Sequence, residues 1–262
     1  MPWPSDYHEH PEAAAQPAAI EAEWTFMASS DGVHVVLPDG RMDLIVAFRG
    51  NDDSRVENLK LMIVGPAQRW TEVPVTRGDR FFGIRFRPGH GGACLGVEAS
   101  TIRDGGMFDV EVDRMLGSHA EALRAATTPR ALAATIRDVA RQRAAAANAV
   151  PSAVKRAIEL IHLGGGRLSL DDVAVAVDMP VRTLRRHLSR ALGLSFKAYS
   201  SVLRFQRTMR LLTREERPLS LADAALEGGY SDQAHMTRDF RRHGGFTPGA
   251  RPPLVLIGMA FD

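Results

Sequence analysis

Residues Leu168–Gly193, LSLDDVAVAVDMPVRTLRRHLSRALG, and Leu221–Gly245, LADAALEGGYSDQAHMTRDFRRHGG, share one plan. Each reads as a short helix, a tight turn and a second, basic helix. In the first unit Ser169 precedes Leu170-Asp171-Asp172, an N-cap followed by carboxylates that meet the positive end of the helix dipole. Val173, Ala174 and Val177 form the inner face of that helix. Asp178-Met179-Pro180 turns the chain, and Pro180 sits where a new helix begins. Leu184, Leu188 and Leu192 recur every four residues and fix the next helix to a core. Arg182, Arg185 and Arg186 then fall on the other side. Their planar guanidinium forks match guanine O6 and N7 in the major groove, and phosphate oxygens as well. Arg190, one turn further on, is placed for backbone phosphate.

In the second unit Leu221, Ala222, Ala225 and Leu226 are the expected inner face of the first helix. Gly228-Gly229-Tyr230 is the turn, and Ser231 is the expected cap of the next helix. Met236 and Phe240 face inward at four-residue spacing. Gln233, Ala234, His235 and Arg238 lie outside near the helix start, where groove-entering helices place base contacts. Gln reads adenine, and Arg reads guanine or holds phosphate; for His235 a buried hydrogen-bonding role stays open. Between the units, Phe196 to Thr213 reads as a long helix with a Val202, Phe205, Met209, Leu212 stripe, ended at Arg217-Pro218. A solvated charged face is the alternative for either basic helix alone, and their tandem occurrence favours DNA reading.

Charge supports the division. Residues 151–262 hold 17 basic and 11 acidic side chains, against 16 and 20 in residues 1–150. A basic half and an acidic half suggest that only the C-terminal part meets a polyanion. With 262 residues the chain has room for two domains. No apolar stretch approaches a membrane span, the N-terminus lacks a secretory pattern, and the lone Cys94 permits no internal disulfide. The expectation is a cytoplasmic protein with no membrane partner.

Residues 1–20, rich in Pro and Ala, read as a mobile tail in which His8 and His10 are idle. Residues 21–125 read as a β-rich domain with a trailing helix. Its strands run over Val33–Leu37, Met42–Phe48, Leu59–Val64, Trp70–Thr76 and Arg80–Phe86, with Pro74 marking an edge. The segment Arg87–Gly92 reads as a loop. Residues 126–150 read as a connector helix opened by Pro129. Its Leu132, Ile136 and Val139 stripe suits either a partner chain or its own domain. The double helix-turn-helix part spans 151–262. The overall expectation is an α+β multidomain chain, a cupin-like or small-barrel β-domain followed by an all-α domain.

The segments GYSDQAHMTRDFRRHGGFTP and LRRHLSRALGLSFKAYSSVLRFQRTMRLL resemble the AraC/XylS family of bacterial transcription regulators over about residues 151–250. The resemblance implies two helix-turn-helix subdomains joined by a helix, each inserting one helix into successive major-groove segments of promoter DNA. By motif position it assigns base reading to Arg182, Arg185 and Arg186 in the first unit. In the second it assigns it to Ala234, His235 and Arg238, with Gln233 beside them. It implies RNA polymerase as a partner where such a regulator activates. Two departures stand out: Gly228 replaces a larger apolar residue, and Gly249-Ala250-Arg251 follows the final Thr-Pro where an aromatic is usual. Both suggest a weakened second unit, with the denser arginine face of the first dominating affinity.

The resemblance also implies an N-terminal ligand-binding or dimerising domain, through which a small-molecule effector or a second copy acts. VVLPDGRMDLIV and GDRFFGIRFRPG resemble the N-terminal domain of a subset of these regulators. Arg41, Trp70 and Arg85 are the candidates to hold an aromatic or anionic ligand there, although alternation in Arg80–Phe86 favours a solvated outer face for the arginines. Cofactor and metal are not expected, since His34 and His90 are the only histidines near the strands. Cys94 reads as an inert buried thiol. No catalytic spacing, P-loop or HExxH occurs, so the chain is not expected to be an enzyme. A small-molecule enzyme or binding module with an incidental helical domain is the remote alternative.

Overall fold

The computed structural model describes residues 7–11, 17–50, 55–213 and 219–250. The N-terminal part contains strands β1 (Tyr7–Pro11), β2 (Ile20–Met27), β3 (Gly32–Val36), β4 (Met42–Arg49), β5 (Glu57–Val64), β6 (Thr71–Val75) and β7 (Arg80–Phe86), then helix α1 (Gly91–Leu95) and strand β8 (Gly106–Phe108). Helices α2 (Val110–Leu116), α3 (Ser118–Ala125) and α4 (Pro129–Ala146) complete it. The C-terminal part is helical: α5 (Ser152–Leu163), α6 (Leu170–Ala176), α7 (Val181–Leu192), α8 (Phe196–Thr213), α9 (Leu221–Gly228) and α10 (Gln233–Gly244). The β-rich and all-α division read from sequence is therefore present. The proposed helix stop at Arg217-Pro218, and Arg251, lie outside the described residues.

Six strands form one antiparallel sheet in the order β1-β2-β7-β4-β5-β8, and β3 pairs with β6 in a separate ribbon. Among the described residues the two do not join, so the domain is an open sandwich. Strand alternation gives the large sheet two faces. Leu44, Val46, Leu61, Ile63, Phe82, Ile84 and Phe86 pack under the helices in one core. Trp24, Phe26 and Ile45 face the ribbon and meet Val75 in another. Pro74 pairs with Val33 in the two-stranded ribbon, where a missing N–H is tolerated.

Residues 7–11 correct the reading of a mobile tail. They pair with β2 over Tyr7–Phe26 to Pro11–Ala22, so His8 and His10 belong to a strand. The trailing helix is two helices, broken at Gly117, whose φ of 56° favours glycine. Leu132, Ile136 and Val139 of α4 are buried in the core beneath the large sheet. The stripe therefore serves its own domain. Arg137 bonds Glu23 at 2.7 Å, and Arg143 donates to the carbonyls of Cys94 and Leu95. Cys94 is buried, and burial pushes its thiol up to about 11, consistent with an unreactive side chain.

In the helical part, Val154, Ile161, Val173, Leu184, Leu188 and Tyr199 share one core. Phe205, Met209, Tyr230, Met236 and Phe240 share another, and Leu37 from the β-domain completes it. Helix α8 contributes to both, as a strut joining two units should. Its stripe is broader than the sequence shows, because Ser201 and Gln206 are also buried, each against polar partners.

Candidate nucleic-acid interface and ligand cavity

Ser169 accepts from the Asp172 amide while the Asp172 carboxylate accepts from the Ser169 amide, a reciprocal cap that fixes the start of α6. The turn at Asp178 (φ 48°) then delivers α7. Leu184, Leu188 and Leu192 are buried, and Arg182, Arg185, Arg186 and Arg190 are exposed. Among the described residues none of these four arginines sits in an ion pair. All four guanidinium groups are thus available to an anionic partner.

Helix α10 is capped by Asp232, whose carboxylate accepts from the His235 amide at 2.6 Å. This corrects the expectation of Ser231 as cap: the Ser231 hydroxyl lies beside Asp232 and His235 Nδ1 instead. Gln233, Ala234 and Arg238 line one shallow concave face together with Thr237 and Arg241. The last two were missed in the sequence, although both follow at helical spacing from Gln233 and Arg238. His235 is half-buried, edge-on to the Tyr230 ring at 5.2 Å, and stands at the margin of this face.

The inner face of α9 is Leu221, Ala224, Ala225 and Gly228, whereas Ala222 and Leu226 are exposed. The register differs from expectation because Gly228, not Leu226, meets α8. A Cβ at Gly228 would collide with Thr208 Oγ1. Glycine therefore permits close helix approach here and does not weaken the unit.

The β-domain encloses a cavity of about 260 Å³ between the large sheet and the ribbon. Cross-strand register organises its floor. Trp24, Gly83, Ile45 and Met62 lie in one row, and Ala22, Arg85, Asp43 and Val64 in the next. Gly83 is required because a Cβ there would occupy the Trp24 indole. The arginines expected on a solvated face are buried instead, with Arg85 1% and Arg41 6% exposed. Both line the cavity; Trp70 does not, and packs against Gly245.

Carboxylates explain that burial, since a buried guanidinium needs charge partners. Arg41 makes two 2.6 Å bonds to Glu21 and a third to the Asp39 carbonyl. Arg85 bonds Glu9 at 3.0 Å and lies 3.3 Å from Asp43 and 3.6 Å from Asp39. Burial pushes the Asp43 carboxyl up to about 6, against the pull of Arg85.

Two loops leave this cavity and dock on the helical domain. In the first, Leu37, Asp39 and Arg41 line the cavity, Leu37 enters the core of the second helix-turn-helix unit, and the Pro38 carbonyl accepts from Gln206 Nε2 at 3.0 Å. In the second, Ala67 and Arg69 line the cavity, while the Gln68 carbonyl accepts from His243 Nδ1 at 2.6 Å. His243 Nε2 and Asp239 both reach the Ser201 hydroxyl. These three residues are not a nucleophilic triad: a backbone carbonyl, not the carboxylate, orients the imidazole, and the serine is buried. Among the described residues no group of three or more His, Cys, Asp or Glu is placed to hold a metal, and no helix is long and apolar enough to cross a membrane.

Residues 173–250 match a family model described as a helix-turn-helix domain, and residues 10–107 match one described as a domain of unknown function (DUF6597). No curated protein matches the sequence. Solved structures similar to the chain include the C-terminal domain of AraT, a response regulator from Geobacillus stearothermophilus, with 23% identity, 44% of this chain and 95% of that one covered, and a TM-score of 0.38. An AraC-type regulator from Chromobacterium violaceum has 29% identity, covers 37% and 85%, and has a TM-score of 0.34. ToxT from Vibrio cholerae O395 has 7% identity, covers 94% and 96%, and has a TM-score of 0.44. The capped helix pairs, their exposed basic second helices and the matched domain agree: residues 173–250 form a DNA-binding helix-turn-helix domain of the AraC type.

Proposed function

We propose that the β-domain controls the DNA-binding domain through a small-molecule effector held in its cavity. The observation that supports this most is a shared wall: Leu37 and Asp39 line the cavity, and their neighbours Pro38 and Gly40 touch α8 at Gln206 and Tyr199. A ligand that moves this turn changes the support of the helix joining the two DNA-reading units. Such coupling is a difference in ligand affinity between two arrangements of the same contacts. On DNA, Arg182, Arg185 and Arg186 read bases and Arg190 holds phosphate in one groove segment. Gln233, Ala234, His235 and Arg238 read the next. RNA polymerase is the further partner where the bound site activates, and a second copy of the chain is the partner where sites are paired.

The test is operator affinity of the full chain with and without a ligand found by calorimetric screening. A cavity ligand shifts DNA affinity by about fivefold or more. A ligand that occupies the cavity and leaves DNA affinity unchanged contradicts the coupling.

A further inference from the structure

The charge around the cavity does not balance. Glu9, Glu21, Asp39 and Asp43 supply four carboxylates, with side-chain exposures of 15%, 18%, 12% and 14%. Arg41 and Arg85 supply two guanidinium groups, at 5% and 1%. Glu21 occupies the fork of Arg41, so Arg85 is the ion-pair partner of the other three carboxylates, of which Asp39 also accepts from the Arg41 amide. At the mouth, the exposed Arg69 and Asp104 offset one another.

The remaining wall is mainly apolar, with Trp24, Phe26, Ile45, Met62, Val73 and Phe81, and is joined by Thr71 and by His34, whose imidazole packs edge-on to Phe26. Trp24 Nε1, on a side chain only 4% exposed, is a buried polar atom of this lining with no hydrogen-bond partner among the described residues. Asp43 Oδ1 and Arg85 Nε make no hydrogen bond of good geometry either, and they face each other as an ion pair at 3.3 Å. A buried N–H loses free energy when unpaired. The Trp24 N–H calls for one acceptor on a ligand, and the three carboxylates that share Arg85 call for one cation. An anion entering here would meet Asp39 and Asp43, and both arginines already lie in ion pairs.

We propose that the cavity takes an organic cation, an apolar or aromatic body carrying one amine or quaternary ammonium group that seats against the Asp39 and Asp43 carboxylates. This rests on reading the cavity as the effector site. The ammonium supplies the missing positive charge, the aromatic walls hold the body and favour the cation through their ring faces, and the Trp24 N–H selects an acceptor along it. The anionic ligand expected from Arg41 and Arg85 alone is thereby replaced, because register brings Asp43 directly opposite Arg85.

The test is calorimetric titration of the full chain at neutral pH with phenethylamine, phenethyl alcohol and phenylacetate, which share a body and differ in charge. Phenethylamine binds at least about tenfold more tightly than the other two. Asp43→Asn removes that preference and leaves binding of the alcohol. Asp39→Asn, whose side-chain oxygen still accepts from the Arg41 amide, replaces it if Asp43→Asn does not fold. Equal or tighter binding of the alcohol or the carboxylate overturns the cation class and leaves the cavity as a ligand site. A preference that survives both substitutions overturns the seat at Asp39 and Asp43. No heat and no thermal shift from any probe at millimolar concentration overturns the effector reading itself.

Discussion

Gly40 lies against the ring of Tyr199, so close that a Cβ would stand 2.8 Å from Cε2 and 2.9 Å from Cδ2. Its φ of +70° independently favours glycine. The cavity turn and the first-unit core therefore meet where no side chain fits. Gly40→Ala should cost about 1–3 kcal/mol through backbone strain and the displaced ring. Thermal unfolding checks this, and loss of the protection of Tyr199 amide hydrogen exchange would accompany it. An unchanged melting temperature would show that the two domains do not hold this contact.

Gly228 makes the corresponding demand between α9 and α8. Gly228→Ala should destabilise the second unit by about 1–3 kcal/mol through overpacking on Thr208. Adding Thr208→Ala should recover part of that loss. Denaturant titration of the single and double variants reads the coupling directly.

Acidity acts through Asp43. Its carboxyl is raised from an ordinary value of 3.8 to about 6, first by burial. The folded state therefore prefers the protonated form. The contribution of this group to stability is present below 3.8 and is lost as pH rises through about 6. The difference in unfolding free energy between the native chain and Asp43→Asn should change over that interval and be flat above it. A constant difference from pH 3 to pH 7, on the order of the titration window, would contradict the assignment.

The two recognition helices should respond differently to truncation. Arg185→Ala should weaken operator binding by about 1–3 kcal/mol, and Arg238→Ala by less. Arg190→Ala should weaken operator and unrelated DNA alike and lower the salt dependence by about one unit of slope. Fluorescence anisotropy over a salt series measures all three. The nearness of Arg241 to Arg238 on one face gives the second unit a reserve of positive charge. A larger loss at Arg238 than at Arg185 would reverse the division.

The helix-turn-helix units were legible because their determinants are local. A cap, a four-residue leucine spacing and a turn lie within one segment, and the burial of Leu184, Leu188 and Leu192 follows from spacing alone. The register of α9 was not legible, since its inner face depends on how closely Gly228 approaches Thr208, a residue of another helix. Strand β2 was hidden for a related reason. Glu21 and Glu23 interrupt its apolar pattern, yet both are paired with arginines from distant elements, Arg41 and Arg137. The cavity was legible only in fragments: Arg41 and Arg85 stood out as charged residues in strand-rich sequence, but the carboxylates that bury them come from β1, β2, β4 and the turn before β4. Sheet register, not sequence spacing, brings those groups together.

The most direct measurement is base-resolved footprinting of the full chain on DNA recovered from the cell, repeated with Arg186→Ala and Arg238→Ala. Two protected segments on one face of the duplex, about one helical turn apart, are expected, with Arg186→Ala relaxing base preference in one and Arg238→Ala in the other. A single protected segment, or an equal loss on every sequence with no change in base preference, would contradict recognition by both helices.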